Sequence, residues 1–215
     1  MSIFRNTSRL FTLLAVMLFL AAAGPALAEE AVQSRAPGDI YPLDTCPVSG
    51  GKLGEMGDPV VKEYDGREVR FCCNGCISEF EAKKDEYWKK IDAAIVAQQK
   101  PLYPLDTCMV TGQKLGSMGD PVEYVHKNRL IRFCCGGCID AFKKDPAKYL
   151  ATLDKAVAEK QKASYPTDQC VVDGKKFGDT AVNYVTGNRL VRLCGADCVK
   201  AFEKDPQKYL PALGK

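Results

Sequence analysis

Hydrophobic and polar positions along the 215-residue chain fall into two regimes. Residues 10–23 are apolar almost throughout, preceded by Arg5 and Arg9 and followed by Gly24 and Pro25. From residue 41 onward the apolar residues come in short, patterned runs. Two β-rich runs joined by a turn are plainest at Val182-Asn-Tyr-Val185, Thr186-Gly-Asn188 and Arg189-Leu-Val-Arg-Leu193, and Asp65-Gly66 marks the same turn earlier, so a β-hairpin is predicted. A helix is predicted to follow, because Phe80, Phe142 and Phe202 each stand four residues beyond a cysteine and so share its helical face. Lys144-Asp-Pro146 and Lys204-Asp-Pro206 then restart a helix, with aspartate as cap and proline in the first turn. Near residue 83 the chain has Lys83-Lys84 and no proline, so an unbroken helix is expected there. Tyr87, Trp88, Ile91 and Ile95, like Tyr149, Leu150, Leu153 and Val157, form helical stripes that read as core packing.

These patterns repeat. Tyr41-Pro-Leu-Asp-Thr-Cys46, Tyr103-Pro-Leu-Asp-Thr-Cys108 and Tyr165-Pro-Thr-Asp-Gln-Cys170 open three copies spaced 62 residues apart. A fixed period of this size means tandem modules. The predicted division is a signal peptide over 1–28, a linker over 29–40, and modules over 41–100, 101–162 and 163–215, joined by short helical linkers. The first segment has the basic start, short apolar run and Ala26-Leu27-Ala28 of a secretory signal, so the mature chain is expected to begin at Glu29 in the periplasm or outside the cell. The apolar run is shorter than the ~20 residues a membrane span needs, so no stable membrane insertion is expected after cleavage.

Composition changes the picture at one point. The chain has 11 cysteines and one histidine, His126, and every cysteine lies inside a module. Without Arg5 and Arg9 the remainder carries 28 basic against 27 acidic side chains, which gives no reason to expect nucleic acid as a partner. A module of roughly 50 residues buries little apolar surface and needs a metal, disulfides or a neighbour. No Ser-His-Asp set, phosphate-binding loop or pair of catalytic carboxylates can be assembled from these residues, so no enzyme is expected.

Three cysteines recur in each copy: Cys46, Cys72 and Cys76; Cys108, Cys134 and Cys138; Cys170, Cys194 and Cys198. The first of each trio opens a knuckle-like turn, and the other two sit where a helix starts, where free N–H groups favour the metal-binding thiolate. Gathering ligands from a knuckle and a helix start is how small zinc modules surround one tetrahedral ion. The knuckle position where a second cysteine would stand holds Ser49, Thr111 or Asp173. Cys73 and Cys135 could supply a fourth ligand in the first two copies, whereas the third has Gly195 there and Asp173 in the knuckle. These remain alternative ligand sets, and all-sulfur sites suit zinc and copper(I) alike. His126 reads as a solvated turn residue.

The pattern Tyr-Pro-Leu-Asp-x-Cys, a strand ending Phe-Cys-x-x-x-Cys, then Phe and Asp-Pro-x-x-Tyr-Leu resembles the YHS domain and the related TRASH domain over all three copies. The stretch from Leu193 to Leu210 looks closest. The resemblance implies a small α+β fold of three treble-clef-like modules, each a knuckle, a β-hairpin and a C-terminal helix. It also implies heavy-metal sensing, trafficking or resistance, with the three-cysteine motif mapping onto the trios above. Cys73 and Cys135 depart from that pattern, as does the lack of a histidine before the helix.

The leading expectation is a non-enzymatic envelope protein that binds zinc or copper(I), up to one ion per module, for buffering, delivery or resistance, with an envelope metal transporter or other envelope protein as partner. A second is a disulfide-stabilised module docking to an envelope partner, favoured by an oxidising compartment. A third is a thiol oxidoreductase using Cys73-Asn-Gly-Cys76 and Cys135-Gly-Gly-Cys138.

Overall fold

The computed structural model describes residues 32–35 and 38–214. The signal expected over 1–28, with its cleavage site, lies outside the described residues. Described are seven short strands and six α-helices, a small mixed α+β arrangement. After β1 (Val32–Ser34), the first copy forms β2 (Val60–Tyr64), β3 (Arg67–Phe71), α1 (Gly75–Ala82) and α2 (Lys84–Gln99). The second forms β4 (Val122–His126), β5 (Arg129–Phe133), α3 (Gly137–Lys144) and α4 (Pro146–Lys162), and the third β6 (Val182–Thr186), β7 (Arg189–Leu193), α5 (Ala196–Lys204) and α6 (Pro206–Tyr209).

Each hairpin is antiparallel and closes on two residues at positive φ: Asp65 and Gly66, Lys127 and Asn128, Gly187 and Asn188. Paired left-handed residues give a turn whose twist matches that of the strands. Thr186, expected in the turn, is instead the last strand residue, paired with Arg189.

The helix restart predicted at Asp145 is present, with Pro146 in the first turn and the Asp145 carboxylate accepting from the Lys148 N–H at 3.3 Å. The first copy breaks its helix as well, contrary to expectation. Lys83 leaves helical geometry (φ −128°, ψ 38°) with no proline to force it. The break lets Tyr87 stack on Phe80 at 5.7 Å and lays Tyr87, Ile91 and Ile95 into one core, so packing overrides local propensity. Leu153 and Val157 are buried in the same way in the second copy, which makes these stripes core.

Residues 29–40, expected as a linker, do more than connect. Val32–Ser34 pairs in parallel with β6, and Ile40 is buried in the core of the third copy. The third hairpin offers β6 as an open edge, and a short strand covers it whatever the polarity of its own side chains.

Polar side chains then lock the copies to one another. Arg67 donates to Asn128 Oδ1 in the next copy's turn at 2.8 Å and to Asp92 of its own α2; Arg129 repeats this with Asn188 at 2.6 Å and Asp154 of α4. Gln99 caps the second hairpin, donating to the Asn128 carbonyl and accepting from the Leu130 N–H, both at 2.8 Å. Gln161 does the same to Asn188 and Leu190 at the same distances. The third copy returns to the first: Arg70 donates to the carbonyls of Glu203 and Lys204, and Gln207 to those of Pro42 and Leu43. Asp39 joins all of this at the centre, accepting from Arg129 at 3.2 Å and from the Gly187 N–H at 2.6 Å. Buried charges of this kind persist only when paired, so the copies are held in fixed mutual positions.

Candidate metal centres

The knuckle forms in every copy. The Cys46 N–H donates to the Gly51 carbonyl at 2.8 Å, and the Gly50 N–H donates back to the Cys46 carbonyl at 2.9 Å. Cys108 with Gln113 and Gly112, and Cys170 with Lys175 and Gly174, repeat the pattern, and each returning glycine sits near φ 72°. That left-handed position is why glycine ends the motif. The turn holds the first cysteine of each trio inward, and Cys46, Cys108 and Cys170 are no more than 1 % exposed.

The second strand of each hairpin delivers the second cysteine, and the helix behind it delivers the next. In the first copy Cys46, Cys72 and Cys76 converge with all three sulfurs within 4.8 Å of one another, as do Cys108, Cys134 and Cys138 in the second. Cys72 and Cys76 are 3.7 Å apart, and so are Cys134 and Cys138. Ligands held at ~2.3 Å stand about 3.8 Å apart around a tetrahedral ion and about 4.0 Å apart around a trigonal one, so the observed separations suit either geometry. All six thiols are buried, and all 11 cysteines of the chain are free. Each of these two clusters could hold a metal ion.

Cys73 and Cys135, the expected fourth sulfurs, lie beside these clusters rather than inside them. Cys73 is 3.8 Å from Cys76 and Cys135 is 3.7 Å from Cys138, each half-exposed at the start of its helix. Cys76 and Cys138 are thus shared, each in contact with one buried sulfur and one half-exposed sulfur.

The third copy gathers a different set. Cys170, Asp173 and Cys194 come within 4.8 Å of one another and could hold an ion, while Cys198, expected as the third sulfur, is not part of that group. Asn74 and Ala196, each two residues before the last cysteine, are both helical, so the helix start is shared; the third copy differs in having Gly195, in extended geometry, where the first has Cys73. Asp173 accepts from the Lys175 N–H at 3.1 Å and from the Cys194 thiol at 3.5 Å, so the turn-bonding and site-facing roles of this carboxylate coexist.

Electrostatics separates the sites in the same way. Burial pushes the Cys46 thiol up, but the backbone N–H and hydroxyl of Ser49 and the N–H groups of Cys72 and Val48 outweigh it and bring the thiol down to about 7. Burial likewise opposes, and the N–H groups of Cys134, Thr111 and Val110 with the Thr111 hydroxyl overcome, the shift that leaves Cys108 at about 6. Burial and then the neighbouring sulfurs push Cys76 and Cys138 well above the usual thiol range. One negative charge per cluster is tolerated and further ones repel, a balance that a bound cation would reverse. In the third copy Cys194 is pushed up to about 12 by burial, Cys170 and Asp173, and Cys198 up to about 11 by burial and Cys170. Asp173 is held below the ordinary carboxylate range, chiefly by the Lys175 N–H.

Two features escaped sequence reasoning. Ser49 and Thr111 mark the place of a missing cysteine, yet each hydroxyl lies 3.3 Å from a cluster sulfur, Cys72 or Cys134. A short hydroxyl in that knuckle position was the available signal. The second is the polar lock between copies, foreshadowed only by Arg67 and Arg129, Asp92 and Asp154, and Gln99 and Gln161 recurring at the 62-residue period. His126 is corrected too: it ends β4, half-buried and edge-on to Phe142 at 5.1 Å, with burial and Lys127 pushing its pKa down. Among the described residues no helix is long and apolar enough to cross a membrane. No family model, curated protein or solved structure matches the chain, so its chemistry is read from its own sulfurs and carboxylate.

Proposed function

We propose that this chain is a non-enzymatic, heavy-metal-binding protein of the YHS or TRASH type, with three treble-clef-like modules that each take up to one zinc or copper(I) ion. It works in the periplasm or outside the cell, buffering a thiophilic ion or delivering it to an envelope metal transporter. The observation that carries this reading is the convergence of three buried sulfurs within 4.8 Å in each of the first two copies. Three thiols packed this closely repel one another once ionised, and an ion turns that repulsion into coordination.

The test uses the full exported chain, reduced and free of oxygen, titrated with zinc and in parallel with copper(I) held by a weak competing ligand. Native mass spectrometry is expected to show up to three ions per chain, with proton release and a higher melting temperature as they bind. A chain that retains no ion and melts at the same temperature with and without metal ends the metal reading and leaves the docking module as its successor.

A further inference from the structure

We propose that Cys73 with Cys76, and Cys135 with Cys138, are oxidisable pairs whose closure to disulfides expels the ions of the first two copies and spares the third. The proposal rests on the metal-binding reading above and adds its regulation. It starts from the shared sulfurs. Cys76 is 3.7 Å from Cys72, its buried cluster partner, and 3.8 Å from the half-exposed Cys73; Cys138 is 3.7 Å from the buried Cys134 and from the half-exposed Cys135. A sulfur placed so can belong to a metal or to a disulfide, but not to both, because the thiolate is the form that binds metal.

Access decides which sulfur meets an oxidant first. Cys72 and Cys76 are each 8 % exposed, whereas Cys73 opens to solvent just ahead of α1. The reaction is thiol–disulfide exchange with a small-molecule disulfide, the oxidant an oxidising envelope supplies. The Cys73 thiolate attacks one sulfur of that disulfide, forms a mixed disulfide and releases one small thiolate. The Cys76 thiolate then attacks the Cys73 sulfur of the mixed disulfide and displaces the second small thiolate. Two electrons pass from the protein pair to the oxidant, which leaves as two thiolates, and the metal ion departs because the cluster has lost Cys76. The new bond needs the sulfurs to close from 3.8 Å to about 2.05 Å, within reach of side-chain rotation. The third copy has half-exposed cysteines of its own in Cys194 and Cys198, but with Gly195 between them it has no C-x-x-C pair, so the C-x-x-C route is closed to it.

The experiment loads the full chain with zinc, adds oxidised glutathione, and follows released zinc with a chromogenic chelator while non-reducing peptide mapping locates the disulfides. Two of three zinc ions are expected to leave as four thiols are lost, with Cys73 joined to Cys76 and Cys135 to Cys138. In the metal-free chain the double variant Cys73→Ser, Cys135→Ser is expected to form intramolecular disulfides at least tenfold more slowly than the parent, circular dichroism confirming that both are folded. Release of all three ions at one rate, or mapping that joins Cys72 to Cys76 or Cys46 to Cys72, overturns the proposal, as does a double variant that oxidises as fast as the parent. A reduced chain that takes up no zinc defeats the metal-binding reading instead, and mapping on the metal-free chain still shows whether the pairs close.

Discussion

The first and third copies share a 62-residue plan, the same knuckle and the same hairpin, yet they assemble different donor sets. The first places three buried sulfurs within 4.8 Å and a hydroxyl beside them; the third places two sulfurs and a more exposed carboxylate in the same space. Two substitutions accompany the change: Gly195 stands where the first copy has Cys73, and Asp173, which brings an oxygen in, stands where the first copy has Ser49. The first two copies also carry Met56 and Met118 exposed in a loop that is two residues shorter in the third and lacks the methionine. Soft sulfur thus dominates the first two copies and a hard oxygen enters the third, the contrast on which copper(I) and zinc differ.

The largest effect should come from removing the sulfur that the two designs use differently. Cys76→Ala takes a ligand from inside the first cluster, whereas Cys198→Ala takes one from outside the third. Dividing an apparent zinc-binding free energy of ~10–16 kcal/mol over four ligands gives about 2.5–4 kcal/mol per sulfur, on the order of a hundred- to a thousandfold in affinity. The full chain with Cys76→Ala is therefore expected to lose one zinc ion in native mass spectrometry, while Cys198→Ala keeps all three with a smaller drop in affinity. Equal losses from the two would mean that the third copy draws Cys198 in on binding and that the copies differ less than their separations say.

Next in size is the carboxylate. Asp173→Ala is expected to weaken zinc at the third copy by about tenfold or more and to leave copper(I) nearly untouched, because copper(I) gains little from a hard oxygen. Competition with a chromogenic chelator on the full chain, counting the weakest of the three ions, reads the effect. Unchanged zinc affinity would leave Asp173 with its bond to the Lys175 N–H and nothing more.

The parts of this comparison that could be read from sequence are those fixed by local chemistry. The knuckle follows from cysteine and glycine four residues apart, the hairpins from turn residues such as Asp65-Gly66 and Gly187-Asn188, and the capped helix restart from Asp145 and Pro146. The trios at Cys46 and Cys108 follow from those elements, since each delivers its cysteine to one point. What could not be read depends on long-range packing. The break at Lys83 has no local signal and exists because Tyr87 must meet Phe80. Val32–Ser34 has no strand-like pattern and becomes a strand only by pairing with β6. Spacing alone groups Cys198 with Cys170 and Cys194, whereas the fold brings Asp173 to those two sulfurs instead. Asp39 looked like a linker residue and sits between Arg129 and the turn at Gly187, contacts made across 90 and 148 residues of sequence.

The smallest expected effect concerns the hydroxyls that separate the first two copies from the third. Ser49 and Thr111 lie 3.3 Å from Cys72 and Cys134, and their hydroxyls and N–H groups help hold Cys46 at about 7 and Cys108 at about 6. Both thiols sit below the ordinary thiol value, so each is a thiolate above its lowered pKa and a thiol below it. In the reduced, metal-free chain, ultraviolet thiolate absorbance should accordingly rise between about pH 6 and 8 for the first two copies, while Cys194 and Cys198 contribute only near pH 11 to 12. Cys46 and Cys108, depressed in the folded chain, each contribute stability above the unfolded thiol value that is lost as pH falls through 7 and then 6, whereas Cys76, Cys138, Cys194 and Cys198, raised in the folded chain, contribute stability at lower pH that is lost as pH rises above the unfolded value. Ser49→Ala and Thr111→Ala keep the backbone donors and remove only the hydroxyls, so each should raise its rise midpoint by less than one pH unit, worth less than about 1.4 kcal/mol. Zinc affinity at pH 7.5 should fall by less than about tenfold, since an outer hydrogen bond to a ligand contributes at the low end of its ~10–100-fold range. A rise that stays in place in both variants would show that the backbone N–H groups alone hold the charge, and would leave Asp173 as the only knuckle side chain that distinguishes one copy's site from another's.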